Sequence, residues 1–168
     1  MQLGEGVEWA VHCCLVLAAL PEGATLPAAK LAEFHGVPGA YLSKQLGALA
    51  AAGIVESTVG RYGGYRLARP ADEVTVWDVV SAVEADDTLF RCTEIRRRGP
   101  AAAGARAYPS PCSVAKVMWQ AEEAWRDELR RHSLAELMLA VARTAPPQSL
   151  AKGATWLQSS VRLPSGTP

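Results

Sequence analysis

Net charge is the first thing this chain lacks. Its 168 residues carry 17 Lys and Arg against 17 Asp and Glu, and the formal charge is zero. Binding to nucleic acid through a global field is thereby excluded, so any such binding needs a local basic patch. Histidine is scarce as well: His12, His35 and His132 are the three available imidazoles. No C-x-x-C, H-E-x-x-H or phosphate-binding glycine loop occurs, which removes the common dithiol, zinc-protease and nucleotide-hydrolase signatures. The apolar run AVHCCLVLAAL has eleven residues, too few to cross a bilayer. Glu5 and Glu8 precede it where an export signal would carry Lys or Arg. These absences imply a cytoplasmic protein that is not an enzyme, with no membrane partner and no small-molecule substrate. Four cysteines in that compartment point to buried thiols, metal or redox use rather than structural disulfides.

What is present suffices for a core. Apolar residues make up 49% and charged residues 20%, normal for one globular domain with or without an arm. Residues 5–20 predict an amphipathic helix with Val7, Val11, Cys14, Leu15 and Ala18 on one face. PAAKLAEFH predicts a short helix over 27–35, with Pro27 in its first turn. Gly36-Val37 makes a turn. A second helix runs from Pro38 to about Ala52, with Leu42, Leu46 and Leu49 inward and Gly53 as its stop. IVEST and YRLAR flank a Gly-rich turn and read as a hairpin. Thr75 is placed to cap VWDVVSAVE, with Asp78 at the third helical position. An irregular stretch over 86–112 leads into a long helix from Ser113 to about Arg131. Val114, Val117, Ala121, Ala124, Trp125 and Glu128 form a mostly apolar stripe on it. Ser133 caps one more helix. From Thr144 onward Pro, Ser, Gly and Thr dominate, which predicts disorder.

Two short helices joined by a tight turn and followed by a hairpin form a winged helix-turn-helix. The fold class is therefore mainly α with a small β wing (α+β), plus a long helix after the loop. A helix fits the major groove, where outward residues reach base edges. On the second helix those are Ala40, Tyr41, Ser43, Lys44 and Gln45. Arg61 at the Gly-rich hairpin tip is suited to a minor groove or a phosphate. Residues 24–70 hold Lys30, Lys44, Arg61, Arg66 and Arg69 against Glu33 and Glu56, a local charge of +3. The plainer reading is a small α+β unit with solvated cations.

LAEFHGVPGAYLSKQLGALAAAGIVES, then GRYGGYRLARP, then VTVWDVVSAVE resembles the Rrf family of bacterial winged-helix transcription regulators. The resemblance spans about residues 5–140. It implies a homodimer built on the long helix and binding to double-stranded, palindromic operator DNA. The implied division is a DNA-binding domain over 1–85, a cluster-binding loop over 86–112, and dimerisation and terminal helices over 113–143. A tail over 144–168 follows. One departure lies in the wing: many members place Arg slightly earlier, where this chain has Val59.

Iron–sulfur members of the family carry three closely spaced cysteines before the dimer helix. This chain has only Cys92 and Cys112 there. Two thiolates hold one iron of a two-iron cluster, and in Rieske centres two His complete the other iron. GVEWAVHCC, His35 and CTEIRRRGP resemble a redox-sensing branch of the family with a [2Fe-2S] cluster on two Cys, one His and one Glu. That resemblance implies Cys92 and Cys112 from one subunit, and Glu8 and His35 from the other, as ligands. Such a site is less negative than a four-thiolate one and easier to reduce. Arg91, Arg96, Arg97 and Arg98 add positive charge beside it. Trp9, next to Glu8, is then a relay to the helix pair. Plainer roles exist for each residue. Glu8 complements a helix N-terminus, His35 ends a helix, Cys92 and Cys112 are loop thiols, and Trp9 is a core residue. Cys13 and Cys14 read as buried small hydrophobes. His12, four residues after Glu8, offers an alternative Glu/His metal pair, and His132 reads as a capping or surface residue. Three competing functions follow: a cluster-free regulator switched by a Cys92–Cys112 disulfide, a metalloenzyme, and an interaction module using the long helix alone.

Overall fold

In the computed structural model, residues 3–60, 63–84 and 88–163 are described. Helix α1 (Glu5–Ala18) runs through the middle of the domain. Its buried positions Val7, Ala10, Cys13, Cys14 and Leu17 recur at helical spacing. Against it pack α2 (Ala28–His35) and α3 (Gly39–Ala51), the helix-turn-helix pair. Pro27 is the N-cap of α2 rather than part of its first turn. Gly36 ends α2 at φ 65°, a left-handed turn that glycine takes without a Cβ penalty, and Val37 N–H closes it on the Ala32 carbonyl at 3.0 Å. On α3, Leu42, Leu46 and Leu49 are fully buried, as their spacing predicts.

The wing is the antiparallel pair β1 (Val55–Thr58) and β2 (Gly64–Leu67), with Val55 opposite Leu67 and Thr58 opposite Gly64. Leu26 adds one rung, because it exchanges both backbone hydrogen bonds with Tyr65 at 2.9 and 2.8 Å. Gly64 is what lets this strand approach: a Cβ there would lie 2.7 Å from the Leu26 carbonyl carbon.

Helix α4 (Val76–Val83) opens on a complete capping box between Thr75 and Asp78. The long helix α5 (Ser113–Arg130) leaves the domain, and α6 (Leu134–Thr144) returns to it through a second capping box, Ser133 with Glu136. Leu134 is fully buried, and its N–H bonds the Val74 carbonyl at 2.9 Å. The first turn of α6 thus belongs to the core of the helix-turn-helix unit. Trp77 on α4 meets Trp125 edge-on at 5.6 Å, with Arg126 and Arg130 over its face, which fixes the base of α5.

Most of the tail is a correction. Where richness in Pro, Ser, Gly and Thr predicts disorder, α7 (Pro147–Ser160) forms, with Pro146 as N-cap and Pro147 at the first position, both places that tolerate proline; residues 164–168 lie outside the described residues. Ala154, Leu157 and Val161 recur on one face, and Leu157, Val161 and Trp156 pack against the core. A short apolar stripe docked on a larger surface does not need high mean hydropathy to be stable. Among the described residues, no helix is long and apolar enough to cross a membrane.

Candidate redox and DNA-binding site

Helix α3 presents Tyr41, Ser43 and Lys44 to solvent, with Tyr41 65% exposed. The Ser43 hydroxyl donates to the Gly39 carbonyl at 2.8 Å, which ties up its hydrogen in the free protein. Gln45 is placed differently from its neighbours. It is half-buried, and its side-chain amide lies where a Cβ on Gly6 would stand, 2.5 Å from that position. Gln45 therefore rests on the first turn of α1, two residues from Glu8. Arg61 lies outside the described residues.

Glu8, Trp9, His12, His35 and Val37 line one cleft of about 220 Å³. Glu8 and His12 are exposed, and Trp9 is half-buried against the core. His35 is the informative member. Its Nε2 is buried and has no hydrogen-bond partner. Burial first, and the neighbouring His12 second, hold its pKa below the usual value, while a backbone hydrogen bond with His12 opposes them. A neutral imidazole with an orphaned nitrogen is costly unless something occupies that nitrogen. His12 stands 5.9 Å from it, ring to ring.

The two loop cysteines lie elsewhere. Cys92 lines a separate cleft of about 490 Å³ with Phe90, Arg97, Tyr108 and Trp119. Its Sγ is 3.5 Å from a Glu94 carboxylate oxygen. Glu94 sits at φ 50°, the one non-glycine in left-handed conformation among the described residues. Arg96 braces it with two contacts of 2.9 and 2.8 Å, reaches the Ser110 carbonyl at 3.2 Å and stacks on Tyr108. Tyr108 in turn donates to the Arg96 carbonyl at 2.9 Å. Cys112 is the N-cap of α5. The amides of Ala115 and Val114, then Arg96, lower its pKa. Both thiols are free. Of the four arginines named from sequence, Arg96 faces inward to brace the loop, while Arg97 and Arg98 are exposed.

One chain thus brings Glu8 and His35 together and sets Cys92 and Cys112 apart from them. Among the described residues no group of three or more potential metal ligands forms. Cys13 and Cys14 take no part: both are fully buried in α1, and burial pushes each thiol up to about 12. His132 lies 3.2 Å from Glu128 at the end of α5, a surface pair. The Gln45 contact, the Glu94–Arg96–Tyr108 brace and α7 escaped sequence reasoning. For α7 a signal existed in the spacing of Ala154, Leu157 and Val161. For the other two none did.

Residues 3–140 match the family profile described as Rrf2, an iron-dependent transcriptional regulator. The chain is 30% identical over 138 residues to YwgB of Bacillus subtilis (strain 168), named for an HTH-type transcriptional regulator; the match covers 82% of this chain and 85% of that one. Among solved structures, T. potens IscR superposes with a TM-score of 0.64 at 22% identity, covering 89% of this chain and 96% of that chain. The oxidized form of Staphylococcus aureus CymR superposes at 0.61 and 21%, covering 82% and 96%. These likenesses show the winged-helix fold.

Proposed function

The chain belongs to the Rrf2 family of transcriptional regulators, and on that premise we propose that it is a redox-sensing DNA-binding regulator with a [2Fe-2S] cluster. The ligands are Glu8 and His35 of one subunit and Cys92 and Cys112 of the other. One observation carries the reading: His35, whose buried Nε2 has no hydrogen-bond partner, lines the same cleft as Glu8. The donor set fits the group, since a neutral imidazole and a thiol already lowered by a helix N-terminus are the forms that bind iron. When bound, a two-iron cluster supplies one-electron redox chemistry.

The chain's own residues do the rest. His35 is the last residue of α2, so any displacement of its ring moves the helix that supports the turn into α3. Glu8 and Trp9 are adjacent on α1, and Trp9 is wedged between the cleft and the core, which makes it a two-position relay. Tyr41, Ser43 and Lys44 read the duplex edges, and Arg61 takes a minor groove or a phosphate. Gln45 packs inward and joins α3 to α1 instead. The homodimer forms on α5, whose Val114, Val117, Met118 and Trp119 are exposed in the single chain. Closing that face joins the loop of one subunit to the cleft of its partner. The reading entails a cytoplasmic location.

The test is an iron and acid-labile sulfide count on protein purified without air, with an electron-spin spectrum after one-electron reduction. The expected result is about two irons and two sulfides per cluster, with a mixed-valence signal that Glu8→Ala and His35→Ala abolish. Protein without iron after anaerobic work sinks the cluster. It would leave a second reading, a reversible Cys92–Cys112 disulfide, which the lowered pKa of Cys112 favours. In that case the protein is colourless, and a dithiol reductant alone changes its affinity for DNA.

A further inference from the structure

We propose that residues 147–163, beyond the part of the chain that matches the family, form a strap that sets the position of the wing. Arg162 is its positioning residue for duplex binding. The proposal rests on the DNA-binding reading above.

The strap is joined to the wing through a single dipeptide. In an extended strand, successive residues turn their N–H and C=O to opposite sides. Leu26 spends its pair on Tyr65 of β2, at 2.9 and 2.8 Å. Thr25 spends its pair on Arg162, at 2.9 Å in each direction. The segment around Arg162 is thereby one step from the hairpin sheet. The Arg162 guanidinium crosses that step and donates to the Gly63 carbonyl at 2.6 Å. Gly63 is the residue where the hairpin re-enters its return strand. It is also crowded, because a Cβ there would run into the Thr58 carbonyl oxygen. Its N–H bonds the Gly60 carbonyl at 2.9 Å within the hairpin, and its own carbonyl accepts from a cation near the far end of the chain.

The other end of the strap grips the helix-turn-helix. Trp156 packs on Phe34 at 5.0 Å and donates its indole N–H to Glu33 at 3.2 Å, both on α2. Lys30 lies 5.6 Å from the same ring. Gly153 passes beside the Phe34 ring, where a Cβ would sit 3.7 Å away. One helical turn and one extended residue therefore bind together the two elements that flank the recognition helix. A two-stranded hairpin by itself is marginally stable in water. A wing tied on its outer edge keeps a fixed angle to α3, and binding then costs less ordering.

The experiment uses the full chain and a duplex that wild-type protein selects from a random-sequence pool. Arg162→Gln is expected to bind that duplex about tenfold more weakly, the scale of one charged hydrogen bond, and Arg162→Lys to recover part of the loss. Amide exchange at Leu26 and Tyr65 quickens in Arg162→Gln, while dimer mass and thermal midpoint hold. Trp156→Leu weakens binding through the other end of the strap. Affinity within about twofold of wild type for Arg162→Gln overturns the strap. So does a loss matched by equal lowering of the thermal midpoint, which marks a purely structural role. A wild-type chain that enriches no duplex overturns the DNA-binding reading itself, and the strap with it.

Discussion

The two halves of the candidate centre are held in opposite ways. Glu8 and His35 stand on helices whose other faces are core, so their positions are set by Val7, Ala10, Leu31 and Ala32 beneath them. Cys92 and Cys112 stand at the two ends of a segment with little packing. Ile95 is 73% exposed, and the segment keeps its shape through polar contacts centred on Arg96. The difference teaches where adjustment is possible. A helix-borne ligand transmits force, because it cannot move without its helix. A loop-borne ligand absorbs it, because a few hydrogen bonds are all that must change. On the proposed reading, the stiff ligands would be Glu8 on α1 and His35 at the end of α2, both helices that pack against α3.

The largest way to break the comparison is to hollow out the stiff half. Leu46→Ala removes a fully buried side chain and should lower unfolding free energy by about 2–5 kcal/mol. Urea unfolding followed by circular dichroism reads it, and a cost below 1 kcal/mol, on the scale of about one methylene, would mean α3 is not a rigid support.

Alkaline pH attacks the same half more gently. The thiols of Cys13 and Cys14 stand near 12 in the fold against 9.0 when unfolded. Between those values the unfolded chain binds fewer protons than the folded one, so stability falls as pH rises above about 9. Each thiol accounts for a loss on the order of 1 kcal/mol at pH 10. Cys13→Ala/Cys14→Ala should flatten the fall in unfolding free energy between pH 8 and pH 10.5, a window of about 2.5 units around the unfolded value. An unchanged slope would show that other groups cause it. Cys112 tests the contrast, since its lowered thiol should be alkylated in native apoprotein while Cys13 and Cys14 stay unmodified.

Smaller still is the cap of α4. Thr75→Ala loses the hydroxyl half of a complete box and should cost about 1 kcal/mol. Thermal unfolding checks it. The smallest effect on stability belongs to the loop. Arg96→Met should lower unfolding free energy by no more than about 0.5 kcal/mol and so barely move the thermal midpoint, because no core residue rests on it. It should nevertheless speed amide exchange over residues 93–110. A large drop in the midpoint would mean that the loop carries the fold and that the comparison is wrong.

Much of this molecule was legible in order of residues alone. The helix-turn-helix followed from Leu42, Leu46 and Leu49 at helical spacing and from Gly36 between two short helices. The cap of α4 followed from Thr75 and Asp78 three residues apart. Those are local relations, and the chain satisfies them within a few residues. The candidate ligands were nameable as residue types, but their grouping was not. That Glu8 and His35 share a cleft, while Cys92 does not, depends on how α1 packs against α2. Gln45 was misplaced because outward and sideways look the same in a pattern of apolar positions; only the missing Cβ of Gly6 makes room for it. The tail was misread because mean composition weighs every residue equally. Docking weighs only Trp156, Leu157 and Val161, which meet the core.

By itself, the sequence determined the periodicity of each helix, the turns and caps between them, and the chemical inventory at hand. Those depend on bonds and contacts between residues near in the chain. The tertiary structure alone decided which imidazole nitrogen was left without a hydrogen-bond partner, which thiol stood on a helix end and which carbonyl of the wing received Arg162. Such pairings join residues as far apart in the chain as Thr25 and Arg162, and only the packing of the whole core brings them within reach.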